Sequence, residues 1–146
     1  MKHLGMIDVT EKVATKRIAK AHAFVKLDKE LLEMIKNNKV PKGNILEIAR
    51  IAGVTGGKKT SDLIPYCHNI QIGKIGVDFK LDNSGVHIYS MAKTTDKTGI
   101  EMEAMVACSI AALTIYDMLK MFNKKIEISQ VWLTEKDGGK DGIFKR

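Results

Sequence analysis

The sequence predicts an α+β fold of the ferredoxin-like kind, an antiparallel sheet with helices packed on one face. Three observations predict it. Residues 19–27 alternate between apolar and polar side chains, residues 70–80 and 86–93 flank a turn sequence, and residues 98–122 form a long, largely apolar helical stretch. With two shorter helices and a last strand, the order becomes strand, two helices, hairpin, long helix, strand.

The first strand is predicted at residues 19–27, where every second side chain is small or apolar. That alternation is typical of a half-buried strand. The first helix follows in the sequence KELLEMIKNN, with Asp28 as its N-cap. Leu27 and Leu32 have the spacing of a hydrophobic staple across this cap. The helix is expected to end near Asn38.

The second helix is predicted after the sequence PKG. Asn44 is its expected N-cap, and Glu47 stands three residues later, at the spacing of a capping box. Gly53, Gly56 and Gly57 weaken helix propensity by roughly 1 kcal/mol each. These glycines either allow another backbone to pack closely or end the helix before the lysine pair that follows them.

The hairpin joins residues 70–80 to residues 86–93 through LDNSG, where Gly85 is expected to take a positive φ. The long helix is predicted to begin at Thr98, with Glu101 completing a capping box, and to run to about residue 122. Its many small residues are typical of a helix that a second backbone approaches closely.

The last strand is predicted at residues 125–135. The chain is expected to form a single domain over residues 1–146. A flexible N-terminal segment of about residues 1–15 and a Gly- and Lys-rich tail of about residues 136–146 are expected at its ends.

Composition favours an anionic partner and a reducing compartment. The net charge is +7, from 24 Lys and Arg against 17 Asp and Glu, which is typical of proteins that bind nucleic acid, a membrane surface or a phosphorylated small molecule. The first residues lack the apolar region of a signal peptide, and no apolar run reaches the roughly 20 residues of a membrane span. Cys67 and Cys108 form no CxxC pair. A cytoplasmic protein is therefore expected.

The segment DLIPYCHNI places Cys67 beside His68, which raises the question of a metal site or a nucleophile. A tetrahedral zinc site usually has paired ligands, and the four histidines of this chain show no such pairing. A nucleophilic cysteine needs a base that is adjacent in space, and adjacent side chains usually diverge. The residues alone favour a packing role for Cys67 and a structural role for His68, with the other two roles still open.

Asp117 and Lys120 follow the apolar part of the long helix and lie one turn apart. They are either an ordinary ion pair at a helix end, worth about 0.3 kcal/mol, or a carboxylate that holds an ammonium in a partly buried site. In the second case, burial and the carboxylate together would set the lysine's pKa, and the lysine could transfer protons.

Glu103 has no evident structural role beside its apolar neighbours, whereas Glu101 is explained by the predicted capping box. Carboxylates can accept paired N–H bonds from the edge of a guanine or pterin ring. Lys42, Lys58 and Lys59 follow or precede helix ends and are candidate phosphate contacts. The chain has no GxxxxGK[ST] motif, so none of these lysines belongs to a Walker A loop.

Read together, five blocks resemble one known family. KGN-ILEIARIAG, KKTSDLIPYCH, KTGIEMEAM, ALTIYDMLK and EKDGGKDG are similar, in order and spacing, to the signature blocks of the MoaC family of cyclic pyranopterin monophosphate synthases, which act in molybdenum cofactor biosynthesis. The resemblance extends over nearly the whole chain, from MIDVTEK to GGKDGIFK.

The resemblance implies a fold, an assembly and a reaction. The family's fold is ferredoxin-like, and its members form homo-hexamers, as trimers of dimers, with active sites between subunits. They convert 3′,8-cyclo-7,8-dihydro-GTP into cyclic pyranopterin monophosphate and release pyrophosphate. The substrate is thus a small molecule. No metal or redox cofactor is expected for this step, and neither nucleic acid nor a membrane is expected as a partner.

The resemblance also implies roles for individual residues. Lys120 would be the general acid–base, Asp117 would position it or share in proton transfer, and Lys42 would be a second catalytic lysine. Binding the substrate would fall to ten further residues: Tyr66, Cys67, His68, Glu101, Met102, Glu103, Arg17, Lys58, Lys136 and Lys140. Among these, Met102 and Glu103 would contact the base-derived ring, while the arginine and the lysines would hold the triphosphate.

Two departures from the family pattern stand out. The family usually has LIPLCHP where this chain has LIPYCHN, which makes Tyr66 and Asn69 unusual. The family also tends to have AAKR where this chain has GGKK, and Lys59 cannot offer the bidentate fork of an arginine.

Two other functions are weighed against the enzyme. A non-catalytic nucleotide- or RNA-binding module would show exposed aromatic residues on its central strands. Phe79 and Tyr89 are candidates for them, although the sequence motif of RNA-recognition sheets is absent. A structural oligomerisation subunit would leave Glu103, Asp117 and Lys120 unexplained as a set.

Overall fold

The fold is a five-stranded antiparallel sheet with two main helices on one face. The computed structural model describes residues 3–146. In chain order the elements are β1 (Thr15–Lys26), α1 (Lys29–Lys36), α2 (Ile45–Lys58), α3 (Thr60–Leu63), β2 (Ile72–Leu81), β3 (Gly85–Asp96), α4 (Glu101–Leu119), β4 (Glu127–Asp137) and β5 (Phe144–Lys145). This order confirms the predicted succession of elements and adds the short helix α3 and a short fifth strand.

The strand order across the sheet is β2-β3-β1-β4-β5, with every neighbouring pair antiparallel. Residues of α1, α2 and α4 share one buried cluster with alternate residues of β1 and β3, so the helices cover a single face of the sheet. This strand order with helices on one face is the ferredoxin-like arrangement. Alternate residues of β1, from Ala19 to Val25, are fully buried beneath the helices. The predicted fold class is confirmed.

Helices α2 and α4 pack against each other with almost no side chain between them. A Cβ at Gly53 would lie 2.8 Å from the carbonyl oxygen of Ala107, and one at Gly57 would lie 3.1 Å from that of Glu103. The glycines therefore permit close backbone packing and do not end α2, which continues to Lys58. The first of the two readings of these glycines is correct.

Helix caps agree with the sequence at two of three helices. The side chain of Asp28 accepts a bond from the Leu31 amide, and that of Asn44 accepts one from the Glu47 amide. At α4 the predicted capping box is wrong, because the helix begins at Glu101 after an Ile100 N-cap with no side-chain bond. The Glu101 carboxylate instead contacts a distant lysine. Helix α4 also ends at Leu119 and not near residue 122.

Gly85 serves the hairpin in a way that differs from the prediction. It is not among the residues with positive φ. A Cβ at this position would lie 2.0 Å from the carbonyl oxygen of Val25 on the neighbouring strand. The prediction of a positive φ is therefore wrong. A glycine is required here because β1 approaches this position closely.

Within residues 3–146, no helix covers the second face of the sheet, which holds a cluster of histidine and aromatic rings. His22 Nε2 lies 3.0 Å from His87 Nδ1, and His87 Nε2 lies 2.7 Å from an Asp82 carboxylate oxygen. His22 also packs against the rings of Tyr89 and Trp132. Burial lowers the pKa of His22, and the charge of His87 lowers it further. In the tautomers that fit this geometry, His22 Nε2–H donates to His87 Nδ1 and His87 Nε2–H donates to Asp82.

The C-terminal tail folds back along the sheet. Lys136 lies within β4, three residues before Gly139, which takes a positive φ. Phe144 and Lys145 then pair with β4 as β5. The last strand thus extends beyond its predicted end at residue 135, and the mobility of the tail stays a prediction.

Within the described chain, α4 alone is long and apolar enough to cross a membrane. Ten of its nineteen residues are buried in the protein core. The helix is therefore accounted for by the core of the domain.

Candidate active site

A cavity of about 490 Å³ opens at the N-terminal end of α4. Its walls come from the N-terminal segment, the turn after α3, the loop before α4 and the start of the tail. Eight of the residues predicted for the site line it: Arg17, Tyr66, Cys67, His68, Glu101, Glu103, Lys136 and Lys140. These residues come from widely separated parts of the sequence, and the fold brings them together.

Glu103 is the least expected side chain in the cavity wall, because it is a carboxylate that is only 4% exposed. One of its oxygens, Oε2, is buried and has no hydrogen-bond partner among residues 3–146. Burial raises the pKa of Glu103, and the nearby charges of Glu101 and Asp96 raise it further. An unpartnered buried acceptor is costly and suits a ligand that brings its own N–H or O–H donor.

Glu101 is tied across the cavity to the start of the tail. Its carboxylate lies 2.9 Å from Lys136 Nζ, with both side chains about one-quarter exposed. A Cβ at Gly99 would lie 2.0 Å from the same carboxylate, so the glycine leaves room for it. The pair joins α4 to β4 and partly neutralises a lysine that was predicted to hold phosphate.

Arg17 is held in a fixed orientation by backbone carbonyls. Its Nε donates to the Asp96 oxygen at 3.2 Å, and its Nη2 donates to the Lys97 oxygen at 3.3 Å. The guanidinium also lies against Gly139, where a Cβ would come within 2.4 Å of Nη1. Carbonyl partners leave its positive charge intact, as an anion-binding arginine requires.

The turn after α3 presents Tyr66, Cys67 and His68 to the cavity. The Cys67 amide donates to the Ile64 oxygen at 3.1 Å, which closes the turn around Pro65. Burial raises the pKa of Cys67, so the thiol stays protonated and is a poor nucleophile. Within residues 3–146, no three His, Cys, Asp or Glu side chains converge as metal ligands.

His68 is bonded to the N-terminal segment. Its Nε2 lies 2.6 Å from the carbonyl oxygen of Ile7. A carbonyl only accepts, so Nε2 carries the proton and donates it. Any contact of this ring with a ligand is therefore left to Nδ1 or to the ring face.

A second cluster gathers the three residues predicted to be catalytic. Lys120 Nζ lies 2.8 Å from an Asp117 carboxylate oxygen, and Lys42 Nζ lies 3.7 Å from the other. Lys42 also donates to the Asp117 backbone oxygen at 3.3 Å. The hydrogen bond from Lys120 lowers the pKa of Asp117, and the reciprocal bond raises the pKa of Lys120. Both side chains of the Asp117–Lys120 pair are more than half exposed in the single chain.

The two clusters lie at opposite ends of α4. Asp117 stands fourteen residues beyond Glu103, which corresponds to about 21 Å along a helix. No side chain bridges that length, so one chain does not unite the acid–base residues with the cavity.

Comparison with known proteins identifies the family of the chain. Residues 6–139 match the MoaC family. The chain belongs to the MoaC family. A relative from Peptoclostridium acidaminophilum, named cyclic pyranopterin monophosphate synthase, is 47% identical over 141 residues, which make up 97% of this chain and 90% of the relative.

Two predicted residues of this MoaC-family chain lie outside both clusters. Lys58 ends α2 and is exposed, one residue after the glycine that packs against the Glu103 backbone. Met102 is 36% exposed and lies between two residues of the cavity wall without lining it. The substrate contacts expected of these two residues stay predictions.

The cavity of the MoaC-family chain also includes residues that the sequence reading left out. Lys12, Thr98 and Gly99 line it. Lys12 ends the sequence MIDVTEK, where the resemblance to the family begins, so the resemblance could have indicated this residue. Gly99 lies in the block KTGIEMEAM. Its role follows from its proximity to the Glu101 carboxylate, which no sequence pattern shows.

Proposed function

We propose that this chain is a cyclic pyranopterin monophosphate synthase. It would convert 3′,8-cyclo-7,8-dihydro-GTP into cyclic pyranopterin monophosphate and release pyrophosphate. The observation that carries the proposal is the unpartnered Glu103 carboxylate in a cavity that also holds Arg17, Lys136 and Lys140. A ring with N–H donors would satisfy the carboxylate, and a phosphate chain would satisfy the cationic side chains. Membership of the family and the name of the relative support it.

In this proposal the cavity binds substrate from two sides. Glu103 accepts N–H bonds from the base-derived ring, and Met102 packs beside that ring. The wall formed by residues 66–68 excludes water from the ring. Arg17, with Lys140 and Lys58, holds the triphosphate and stabilises the charge that develops on the leaving pyrophosphate.

In this proposal, acid–base catalysis is carried out by the second cluster, Lys42, Asp117 and Lys120. Because Asp117 raises the pKa of Lys120, the isolated chain keeps this lysine protonated, ready to act as an acid. To act as a base it must lose part of its solvation, since burial lowers a lysine's pKa. Lys42, on the same carboxylate, supplies a second ammonium through which a proton can move.

A homo-oligomer would bring the two clusters together. Glu103, Ile110 and Asp117 share one face of α4, and Ile110 is seven residues from each of the other two. A two-fold axis near Ile110 would set two α4 helices antiparallel. The acid–base cluster of one copy would then face the cavity of its partner at both ends of the interface.

The surface around Ile110 suits such contact. An apolar groove lies there between α2, α3 and α4, lined by Ile48, Ile51, Ala52, Thr55, Gly56, Lys59, Leu63 and Ile110. Ile51 is 64% exposed and Leu63 53% exposed, which is costly for apolar side chains unless a partner covers them. We propose a homo-hexamer built as a trimer of such dimers, in the cytoplasm.

Single-turnover release of pyrophosphate tests the reaction. Lys120→Ala and Lys42→Ala are each expected to abolish product formation while circular dichroism shows an unchanged fold. Lys124→Ala, an exposed lysine four residues beyond Lys120, is the matched control and keeps full turnover. Near-normal turnover in either of the first two variants contradicts the assigned roles. A wild-type protein that releases no pyrophosphate from this substrate contradicts the function.

One observation supports a second candidate, a non-catalytic RNA-binding module. Tyr89 and Trp132 are 44% and 37% exposed on the open face of the sheet, on strands β3 and β4. Phe79 does not join them, because it packs on the helix side with the Arg50 guanidinium 5.3 Å from its ring centre. Salt-sensitive binding to single-stranded RNA, lost in Tyr89→Ala and unaffected by guanine nucleotides, would favour this module.

A further inference from the structure

The N-terminal segment forms one wall of the cavity without belonging to a helix or a strand. Gly5, Ile7, Val9 and Lys12 line the cavity. We call residues 5–12 the N-terminal strap. Within it, Asp8 accepts bonds from the Thr10 amide at 2.9 Å and the Thr10 hydroxyl at 2.6 Å, and the Lys12 amide donates to Val9 at 3.0 Å. These local bonds give the strap a defined turn that ends at Lys12.

Two side chains from the body of the protein hold the strap. His68 Nε2 donates to the Ile7 oxygen at 2.6 Å, and Lys97 Nζ donates to the Thr10 oxygen at 3.0 Å. Apolar burial contributes less, because Met6 is 50% exposed and Ile7 74% exposed, and Val9 alone among the apolar side chains of the strap is half-buried. The position of the strap therefore depends on these two polar contacts.

Lys12 and Lys140 are the two cations of the cavity that make no side-chain ion pair or hydrogen bond within the described chain, and Lys12 is the one that the strap positions. Lys136 is paired with Glu101 at 2.9 Å, and Arg17 is bonded to two backbone carbonyls. No carboxylate among residues 3–146 lies within ion-pair distance of Lys12, although its side chain lines the same cavity. A triphosphate needs several cations, and one of those assigned to it is already partly neutralised.

We propose that Lys12 binds the phosphate chain of the substrate, and that His68 is a positioning residue that holds Lys12 in place through the strap. This proposal rests on the proposed function and adds a residue to its binding site. It also gives His68 a role that needs no contact with the reacting ring. The strap links Lys12 to His68, because His68 holds the Ile7 carbonyl of the strap. Loss of either side chain is therefore expected to weaken phosphate binding in the same way.

Steady-state kinetics of pyrophosphate release test the role of Lys12. Lys12→Ala is expected to raise KM about tenfold, the usual effect of losing one charged hydrogen bond, with kcat within about twofold of wild type because the acid–base groups are untouched. Lys16→Ala, another exposed lysine that does not line this cavity, is the matched control and leaves KM unchanged. An unchanged KM in Lys12→Ala overturns the proposal.

A double-mutant cycle tests the role of His68. His68→Ala is expected to raise KM, and the double variant with Lys12→Ala is expected to be no worse than the Lys12 variant alone, because both changes remove one interaction. Effects on KM that multiply show that His68 binds substrate independently of Lys12 and overturn its positioning role. His68→Gln, which keeps a side-chain donor, is expected to recover part of the loss.

Limited proteolysis supplies a readout that is independent of substrate. Trypsin is expected to cleave after Lys12 several-fold faster in His68→Ala than in wild type, with His68→Gln between the two, because the strap loses one of its two anchors. Equal cleavage rates in all three proteins show that His68 does not hold the strap and overturn the proposal.

Calorimetric titration with inorganic triphosphate separates this proposal from the proposed function. If wild type binds inorganic triphosphate about tenfold more tightly than Lys12→Ala, the role of Lys12 stands, even where the wild-type protein proves unable to catalyse the reaction. If the two proteins bind it equally, or neither binds it, the role of Lys12 is wrong, even where the wild-type enzyme is active.

Discussion

At the scale of single residues, Glu103 lowers the stability of the fold that contains it. Its carboxylate is 4% exposed, and one oxygen has no partner within the described chain. Burial raises its pKa above the usual 4.5. In the folded chain this residue thus binds its proton at a pH where the unfolded chain has already lost it. Its contribution to stability is complete below about pH 4.5 and is lost as the pH rises through the raised folded pKa.

Replacing Glu103 by glutamine is expected to stabilise the protein and to reduce its activity. Glutamine keeps the shape and removes the buried charge, so the free energy of unfolding at pH 7 should rise by about 1 kcal/mol, while near pH 4 the two proteins should match. Urea unfolding at both values of pH measures this difference. Glu101→Gln is the control and should lose a little stability, because it breaks the pair with Lys136. A Glu103 variant that is less stable at pH 7 would contradict this account.

Short-range sequence patterns predicted the roles of some single residues correctly. Asp28 and Asn44 cap their helices because a cap involves residues only three positions apart. Glu101 has the same spacing from Thr98, yet its carboxylate contacts Lys136, thirty-five residues away. The competing partner is near only in the folded chain, so no local pattern could reveal it. Glu103 was recognised as unusual because its sequence neighbourhood offered it no structural role.

At the scale of elements, the contact between α2 and α4 supports the cavity from beneath. Gly57 packs against the backbone of Glu103, and Gly53 packs against that of Ala107, one turn further along. This packing fixes the height of the α4 N-terminus above the sheet, and with it the position of the Glu103 side chain.

Gly53→Ala is expected to destabilise the protein even though alanine favours helices by roughly 1 kcal/mol. The new Cβ would lie 2.8 Å from the carbonyl oxygen of Ala107, a backbone atom that cannot rotate away. We expect a net loss of about 2 kcal/mol and a melting temperature lower by about 5 °C in calorimetry. Gly76→Ala in β2 is the control, since no atom lies within 4 Å of its Cβ position. Equal melting temperatures for the two variants would show that α4 can shift to accept the new methyl group.

The sequence left the role of these glycines open between close packing and helix termination. Glycine suits both roles. Which role it has depends on whether another helix packs against it, and this is determined by the tertiary structure. The order of elements was predictable because hydrophobic alternation and helical periodicity are local. The exact ends of strands were less predictable. Strand β4 continues to Asp137 because β1 provides hydrogen-bonding partners there.

At the scale of the whole molecule, the predicted site residues divide between the two ends of α4. The resemblance named them as one set, but sequence contains no distances between elements, and a single chain leaves about 21 Å between Glu103 and Asp117. The separation itself carries information. If both clusters serve one reaction, as proposed above, a second copy of the chain has to complete the site.

Mixing two inactive variants tests whether each site draws on two chains. Glu103→Ala should disable the cavity of its own chain, and Lys120→Ala should disable the acid–base cluster of its own chain. In a mixed dimer, one site would receive the intact cavity of the Lys120 variant and the intact lysine of the Glu103 variant. Co-refolding equal amounts is therefore expected to restore about a quarter of wild-type pyrophosphate release, since half the dimers are mixed and each has one working site.

The matched control is a mixture of the Lys120→Ala and Lys42→Ala proteins. Both changes lie in the same cluster, so every site of every dimer keeps one defect and no activity should return. Recovery in the first mixture and none in the second would require the cavity and the acid–base cluster to come from different chains. No recovery in the first mixture, with exchange of subunits verified by mass spectrometry, would place both clusters of a working site in one chain. The 21 Å along α4 would then have to be closed by a rearrangement of the helix itself, against its packing on α2.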